Sequence, residues 1–231
     1  MSGQPRCKLF IKKKGDYLCQ RVCMIVALKK LDPVICQIIA EEDKVKIAKE
    51  NGATVTMWPT LLDTHTYEDG EEIEQHLEAH FPEHSLKSND EAVKELTENN
   101  SPVSDFNKWL RAESPGDAVH AEKLAKFLNK ADQILEQNAK KGDFLDGNSL
   151  TLPDCILLPK LHHMREVGKI ITVDQGDILK GFTNVERYMK KAENGTAFQT
   201  TKREIDDRKW IGFKSKTKKS SDIYNALKSR K

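Results

Sequence analysis

The chain has no run of about 18 uncharged apolar residues, so a permanent transmembrane helix is not expected. It also shows no secretory leader over Met1 to Gly15, and its five cysteines are odd in number. No disulfide framework is therefore expected, and a reducing cytosolic setting is favoured. Strong net charge is absent too: the formal value is +2 over 231 residues. That small sum hides an uneven distribution. Residues 1–30 hold eight Lys/Arg against Asp16 alone, a local +7, and residues 208–231 hold nine against Asp222, a local +8. The middle 177 residues therefore carry −13, and the chain reads as an acidic body with two basic ends.

What is present fits a folded protein: 38% hydrophobic and 32% charged residues exclude global disorder, and the length suits two modest domains or one elongated one. Lys8 to Lys13 alternates Leu9 and Ile11 against charged neighbours, a short strand with one buried side. Cys19 to Leu28 reads as a helix buried nearly all round, with Asp16 at its N-terminus and Asp32-Pro33 as its break. Val34 to Ala40 has the apolar, β-branched content of an interior strand. Glu41 to Asn51 reads as a charged helix with Val45, Ile47 and Ala48 inward and Gly52 as its stop. The short connections imply that the first two strands are parallel. Thr54 to Trp58, Pro59, Thr60 to Leu62 and Thr64 to Tyr67 supply the next strands, and Glu71 to Phe81 the next helix.

Beyond a polar stretch the pattern is entirely helical, over Val103 to Arg111, His120 to Asn138, Ile156 to Val167 and Thr183 to Ala192. Thr151 with Asp154 three residues later marks a helix start by reciprocal capping. The expected organisation is a βαβαββα domain over 1–82, a linker over 83–101, an all-helical domain over 102–207 and a basic tail over 208–231.

This order resembles the glutathione transferase architecture, with a thioredoxin-like N-terminal domain followed by an all-α domain. Within that superfamily the chain resembles the chloride intracellular channel (CLIC) family. The resemblance is carried by Leu18-Cys19-Gln20-Arg21 through Leu28-Lys29, and by Phe144-Leu145-Asp146-Gly147-Asn148 through Leu150-Thr151-Leu152 to Leu157-Leu158-Pro159-Lys160-Leu161-His162. It extends from Lys8 to about Asp207. Vertebrate members look like Cys-Pro-Phe-Ser where this chain has Asp16-Tyr17-Leu18-Cys19, so a carboxylate stands in place of the reactive thiol. The acidic loop before Phe144 is shortened to 138–143, and a basic import segment is not matched at Arg165 to Thr172. Both features look more like an invertebrate member.

The resemblance implies a glutathione-like site at Asp16, Cys19, Trp58, Pro59 and Asp69, with a cis bond at Trp58-Pro59. Asp16 keeps the negative charge that a helix N-terminus favours but cannot form a disulfide with glutathione, so an enzyme is not the leading expectation. Cys19 is weighed as a resolving thiol and Asp69 chiefly as a helix cap, while Cys7, Cys36 and Cys155 read as small core residues. Cys19 and Cys23 supply two ligands without a His pair, so no metal is expected. His65, His76, His80 and His84 show no convergence that the sequence reveals, and His162 and His163 should face opposite ways on their helix. The family also implies conditional membrane insertion near Asp16 to Ala40, with Arg21 and Lys29 lining an anion pore. Each of those charges would cost about 2.5 to 3.5 kcal/mol near a bilayer centre. The expected partners are anionic membrane lipids, chloride or other anions, and acidic or cytoskeletal proteins. The expected states are a cytoplasmic monomer and a membrane oligomer. A glutathione-dependent oxidoreductase and a non-catalytic adaptor on the same scaffold are the alternatives.

Overall fold

A strand over Cys7–Lys12 (β1) feeds a helix over Tyr17–Leu28 (α1) in the computed structural model, which describes residues 6–98, 102–111, 118–171, 177–205 and 210. Leu9, Phe10 and Ile11 are all fully buried, so β1 has both faces covered rather than one. The cause is its central place: the sheet runs β2-β1-β3-β4, with β2 (Cys36–Glu41) parallel to β1 and β3 (Thr60–Leu62) antiparallel to it. β4 (Thr66–Tyr67) completes the order by pairing antiparallel with β3.

The segment read as an interior strand is thus an edge. Ile38 stands exposed on β2, which has β1 on one side only, and Val34 stands exposed in the turn before it. The next helix, α2 (Lys44–Asn51), buries Ile47 and leaves Val45 exposed, correcting the expectation that both face inward. Asp43 caps its start, and Gly52 ends it in the left-handed conformation at φ 61°, which costs glycine nothing. Thr54 to Trp58 forms no strand. α1 stops at Leu28, ahead of Asp32-Pro33, because Lys30 turns left-handed at φ 54° while its N–H bonds the Ala27 carbonyl and Leu31 N–H bonds that of Val26. That pattern satisfies the last carbonyls of the helix. Helix α3 (Gly70–His80) and a 3-10 turn at Pro82–His84 close the unit.

By its contacts the chain divides into Met1–Lys87 with Gly195–Glu204, and Ser88–Asn194 with Ile205–Lys231. The return of Gly195–Glu204 to the first unit has a local cause. Helix α9 (Thr196–Thr201) packs on α1 with Phe198 and Thr201 buried. Gly15 N–H then bonds the Glu204 carbonyl at 2.7 Å.

Among its described residues the second unit consists of helices and their connecting loops, with no strand beyond an isolated bridge between Phe144 and Gly147. The stretch 83–101, read as a linker, carries α4 (Glu91–Glu98), whose Val93, Leu96 and Thr97 are buried on one face. Next come α5 (Pro102–Arg111), α6 (Ala118–Gln137), α7 (Leu152–Ile171) and α8 (Thr183–Glu193). Asp154 is fully buried and takes the N–H and hydroxyl of Thr151 at 2.7 and 2.8 Å, Leu145 N–H at 3.1 Å and the Tyr188 hydroxyl at 2.9 Å. It therefore ties α7 to the preceding loop and to α8, beyond the cap that the sequence implies. Burial pushes its carboxyl up against the pull of those bonds. Gly142 is obligatory in the same loop, because an added Cβ would overlap the Gly147 carbonyl group. The tail over 208–231 lies outside the described residues except for Trp210, whose ring meets His163 edge-on at 5.9 Å.

Candidate functional site at the N-terminal end of α1

Three of the expected site positions lie at one end of the first unit's sheet. β1 ends toward Asp16, β3 begins just after Pro59, and the Phe10–Thr60 pairing sets those two ends side by side. β4 runs back so that Tyr67 pairs Leu61, which delivers Asp69 to the same end. The Trp58-Pro59 bond is cis.

Each acid at this end is engaged by its own helix. Asp16 Oδ1 accepts the N–H groups of Leu18 and Cys19 at 2.8 and 3.1 Å. Asp69 Oδ1 likewise accepts those of Glu71 and Glu72 at 2.8 and 3.3 Å. Two such caps stabilise α1 and α3 by about 1 kcal/mol each. Beside the cis bond, Glu68 accepts the Thr56 hydroxyl at 2.6 Å and Met57 N–H at 3.2 Å, and Lys44 stands over the half-buried Trp58 ring at 5.8 Å.

Cys19 is fully buried, and its sulfur accepts Lys12 N–H at 3.3 Å. Burial, reinforced by the Asp16 carboxylate, pushes its thiol pKa well above the ordinary value. A thiol that resists ionisation is a poor nucleophile. One turn on, Cys23 is buried too, with Arg203 donating to its sulfur at 3.3 Å. These residues do not fit the covalent chemistry of glutathione. The half-buried end of α1 offers a carboxylate already used as a cap, and the thiol behind it is enclosed where burial disfavours its ionisation.

Arg21 and Lys29 are partnered inside the unit. Arg21 Nη2 donates to Glu74 at 2.6 Å, and Lys29, with its side chain fully buried, pairs with Glu78 at 2.8 Å. Lys29 also donates to the carbonyls of Phe81 and His84 at 2.9 and 3.2 Å, so its ammonium sits at the negative C-terminal end of α3. Burial pushes the Glu74 carboxyl up against the pull of Arg21. Glu78 goes the other way: burial is its largest single influence, but the bonds from Lys29, Leu86 and Ser85 together hold its carboxyl below the ordinary value. Sequence reasoning passed over both acids. Their only signal was a four-residue spacing beside the inward Ile73 and Leu77, which puts them on one helix face.

Three of the four histidines of this unit, His65, His76 and His80, form a row with Tyr67. The rings of His65 and Tyr67 lie 6.5 Å apart, those of Tyr67 and His76 4.5 Å, and His76 stacks on His80 at 4.0 Å. His76 Nε2 meets Asp63 at 3.0 Å. Their convergence was hidden because a strand and a helix each supply part of the row. In the second unit His163 is buried and His162 half-buried, so the two do not divide cleanly into an inward and an outward ring. No group of three or more His, Cys, Asp or Glu able to hold a metal ion occurs among the described residues.

Residues 117–191 match the family model of the glutathione S-transferase C-terminal domain. Chloride intracellular channel exc-4 of Caenorhabditis elegans is 26% identical over 226 residues, covering 85% of this chain and 76% of that protein. The solved structure of the CLIC homologue EXC-4 from the same organism covers 94% of this chain and 88% of its own, with TM-score 0.68 and 24% identity. The chain thus resembles the chloride intracellular channels on a glutathione-transferase-like fold. Its scaffold is shared with enzymes: a dehydroascorbate reductase of Chlamydomonas reinhardtii has TM-score 0.70 at 20% identity, covering 91% of this chain and 97% of its own. Glutathione transferase Omega 3C of Trametes versicolor has TM-score 0.68 at 15%, covering 89% and 92%. The CLIC-like chain differs from a thiol enzyme in what it places at the end of α1, an engaged carboxylate in front of an enclosed cysteine.

Proposed function

We propose that this CLIC-like protein keeps the fold described here at rest, associates conditionally with anionic membranes, and conducts anions when α1 enters the bilayer. The observation that carries this reading is the match to a protein named a chloride intracellular channel across 85% of the chain. No described helix is long and apolar enough to cross a membrane, so insertion requires refolding. The candidate segment is Asp16 to Ala40, of which α1 is the helical part. This helix buries Cys19, Gln20 and Val22 through Val26 at rest, and the cations Arg21 in its second turn and Lys29 at its C-terminal end are already paired with Glu74 and Glu78. Insertion of α1 alone leaves both carboxylates behind and exposes both cations, which then line an aqueous path that favours anions. The basic residues of 208–231 give an independent electrostatic attraction to an acidic leaflet, about 1 kcal/mol for each cation near the surface.

The test is liposome flotation with chloride efflux across pH and lipid charge, comparing the full chain with one ending at Asp207. Flotation that rises with anionic lipid and falls on truncation supports the reading. Binding and efflux equally absent from both chains at every pH refute it. Thiol-transferase turnover that vanishes in Cys19→Ser would instead establish the oxidoreductase reading, against which the burial of Cys19 argues.

A further inference from the structure

All five cysteines are buried, and none is in a disulfide. Two of them stand directly opposite each other. Cys7 and Cys36 are the first residues of β1 and β2 and are partners in the parallel register, so their side chains leave the sheet on the same face. Adjacent strands lie about 4.8 Å apart, within the Cα separation of roughly 4.4 to 6.8 Å that a disulfide spans. The Cys7 thiol donates to the Ile35 carbonyl at 3.5 Å, and the neighbouring Cys36 draws the Cys7 thiol pKa down against its burial while that of Cys36 is pushed up. Nearby Arg6 adds to the lowering, and Asp63 opposes it.

The pair lies at the start of an edge strand, and the β1–β2 pairing continues just before it, with Cys7 N–H bonded to the Ile35 carbonyl at 2.9 Å and Arg6 N–H to that of Val34 at 3.4 Å. The Val34 side chain beside it is exposed. Cys19 and Cys23 lie instead in the middle of the unit. Both are enclosed on α1, and burial pushes both thiols up.

We propose that Cys7 and Cys36 are a redox-active dithiol that closes to a β1–β2 disulfide on reaction with a hydroperoxide. The Cys7 thiolate attacks one oxygen of hydrogen peroxide and the O–O bond breaks. The departing hydroxide takes up the proton that the Cys7 thiol gave up and leaves as water. Cys7 is then a sulfenic acid. The Cys36 sulfur attacks the sulfenic sulfur, the S–O bond breaks, and the hydroxyl leaves with the Cys36 proton as a second water. Two thiols lose two electrons, and hydrogen peroxide gains them. This chemistry is separate from membrane association and from Asp16.

The experiment treats the full chain with hydrogen peroxide, titrates thiols after denaturation, and maps disulfide-linked peptides. The titre should fall from the five thiols of the sequence to three, with one cross-linked peptide pair joining Cys7 to Cys36 within a single chain and full reversal by dithiothreitol. Cys7→Ser and Cys36→Ser should each prevent the cross-link, with circular dichroism confirming the fold. The wild-type peptide map decides the matter even if a variant fails to fold. A titre that stays at five overturns the proposal, as does a cross-link elsewhere in the chain or between two chains.

Discussion

Replacing Lys29 with methionine tests the internal pairing of α1 most directly. The Lys29 ammonium has three protons and three acceptors, Glu78 at 2.8 Å and the Phe81 and His84 carbonyls at 2.9 and 3.2 Å, in a site where its side chain has no solvent access. Methionine fills a similar volume but leaves Glu78 without its cation and two carbonyls without this donor. Removing one partner of a buried ion pair costs about 3 to 5 kcal/mol. Glu78 keeps bonds from Leu86 N–H and the Ser85 hydroxyl and retains 9% side-chain exposure, so the lower end, about 3 kcal/mol, applies. Glu78→Gln preserves the shape and leaves Lys29 its carbonyls, so it should cost about 1 to 2 kcal/mol. The double variant should fall short of the sum by about 1 to 2 kcal/mol, because the neutral amide that replaces the Glu78 carboxylate needs no counter-ion. Urea denaturation reads all three. With an m-value of about 3 kcal/mol/M, Lys29→Met should lower the midpoint by about 1 M at unchanged slope. A loss below about 1 kcal/mol, or additive effects in the double variant, would refute the pairing argument.

Installing a thiol at the end of α1, as Asp16→Cys, should create glutathione mixed-disulfide formation that the wild type lacks, since the Leu18 and Cys19 N–H groups then favour a thiolate. Mass spectrometry after exposure to glutathione disulfide checks it. Acid pH should destabilise the fold through Glu78. Its native pKa lies below the ordinary value, so its contribution is complete above the unfolded value of about 4.3 and is lost as pH falls through the native one. Glu74, whose carboxyl is raised, has the opposite sign, its contribution being lost as pH rises through the native value. Urea midpoints between about pH 3 and 7 should therefore flatten in Glu78→Gln and steepen in Glu74→Gln. Asp154→Ala strands the donors of Leu145, Thr151 and Tyr188 and should cost about 4 kcal/mol, whereas Tyr188→Phe should cost about 1 kcal/mol, both by urea denaturation.

Features whose causes act within a few residues were legible in the amino-acid order alone. Asp16, Asp69 and Asp154 sit at helix starts because a short acid reaches N–H groups two or three positions on, and Gly52 ends α2 because only glycine adopts that conformation freely. The helical periodicity of α5 to α8 could be read for the same reason. Whatever depends on partners that topology supplies had to wait for the packed chain. An apolar run at 34–40 reads the same whether its strand lies inside a sheet or at its edge, and only the strand order exposes Ile38. Nothing in the sequence beside Arg21 and Lys29 shows that α3 brings Glu74 and Glu78 against them from about fifty residues away. The polar residues over 83–101 concealed the single buried face of α4. The thiols show the same division. Their odd number was plain, and so was the missing thiol at Asp16, but the contact of Cys7 with Cys36 exists only because two parallel strands begin in register.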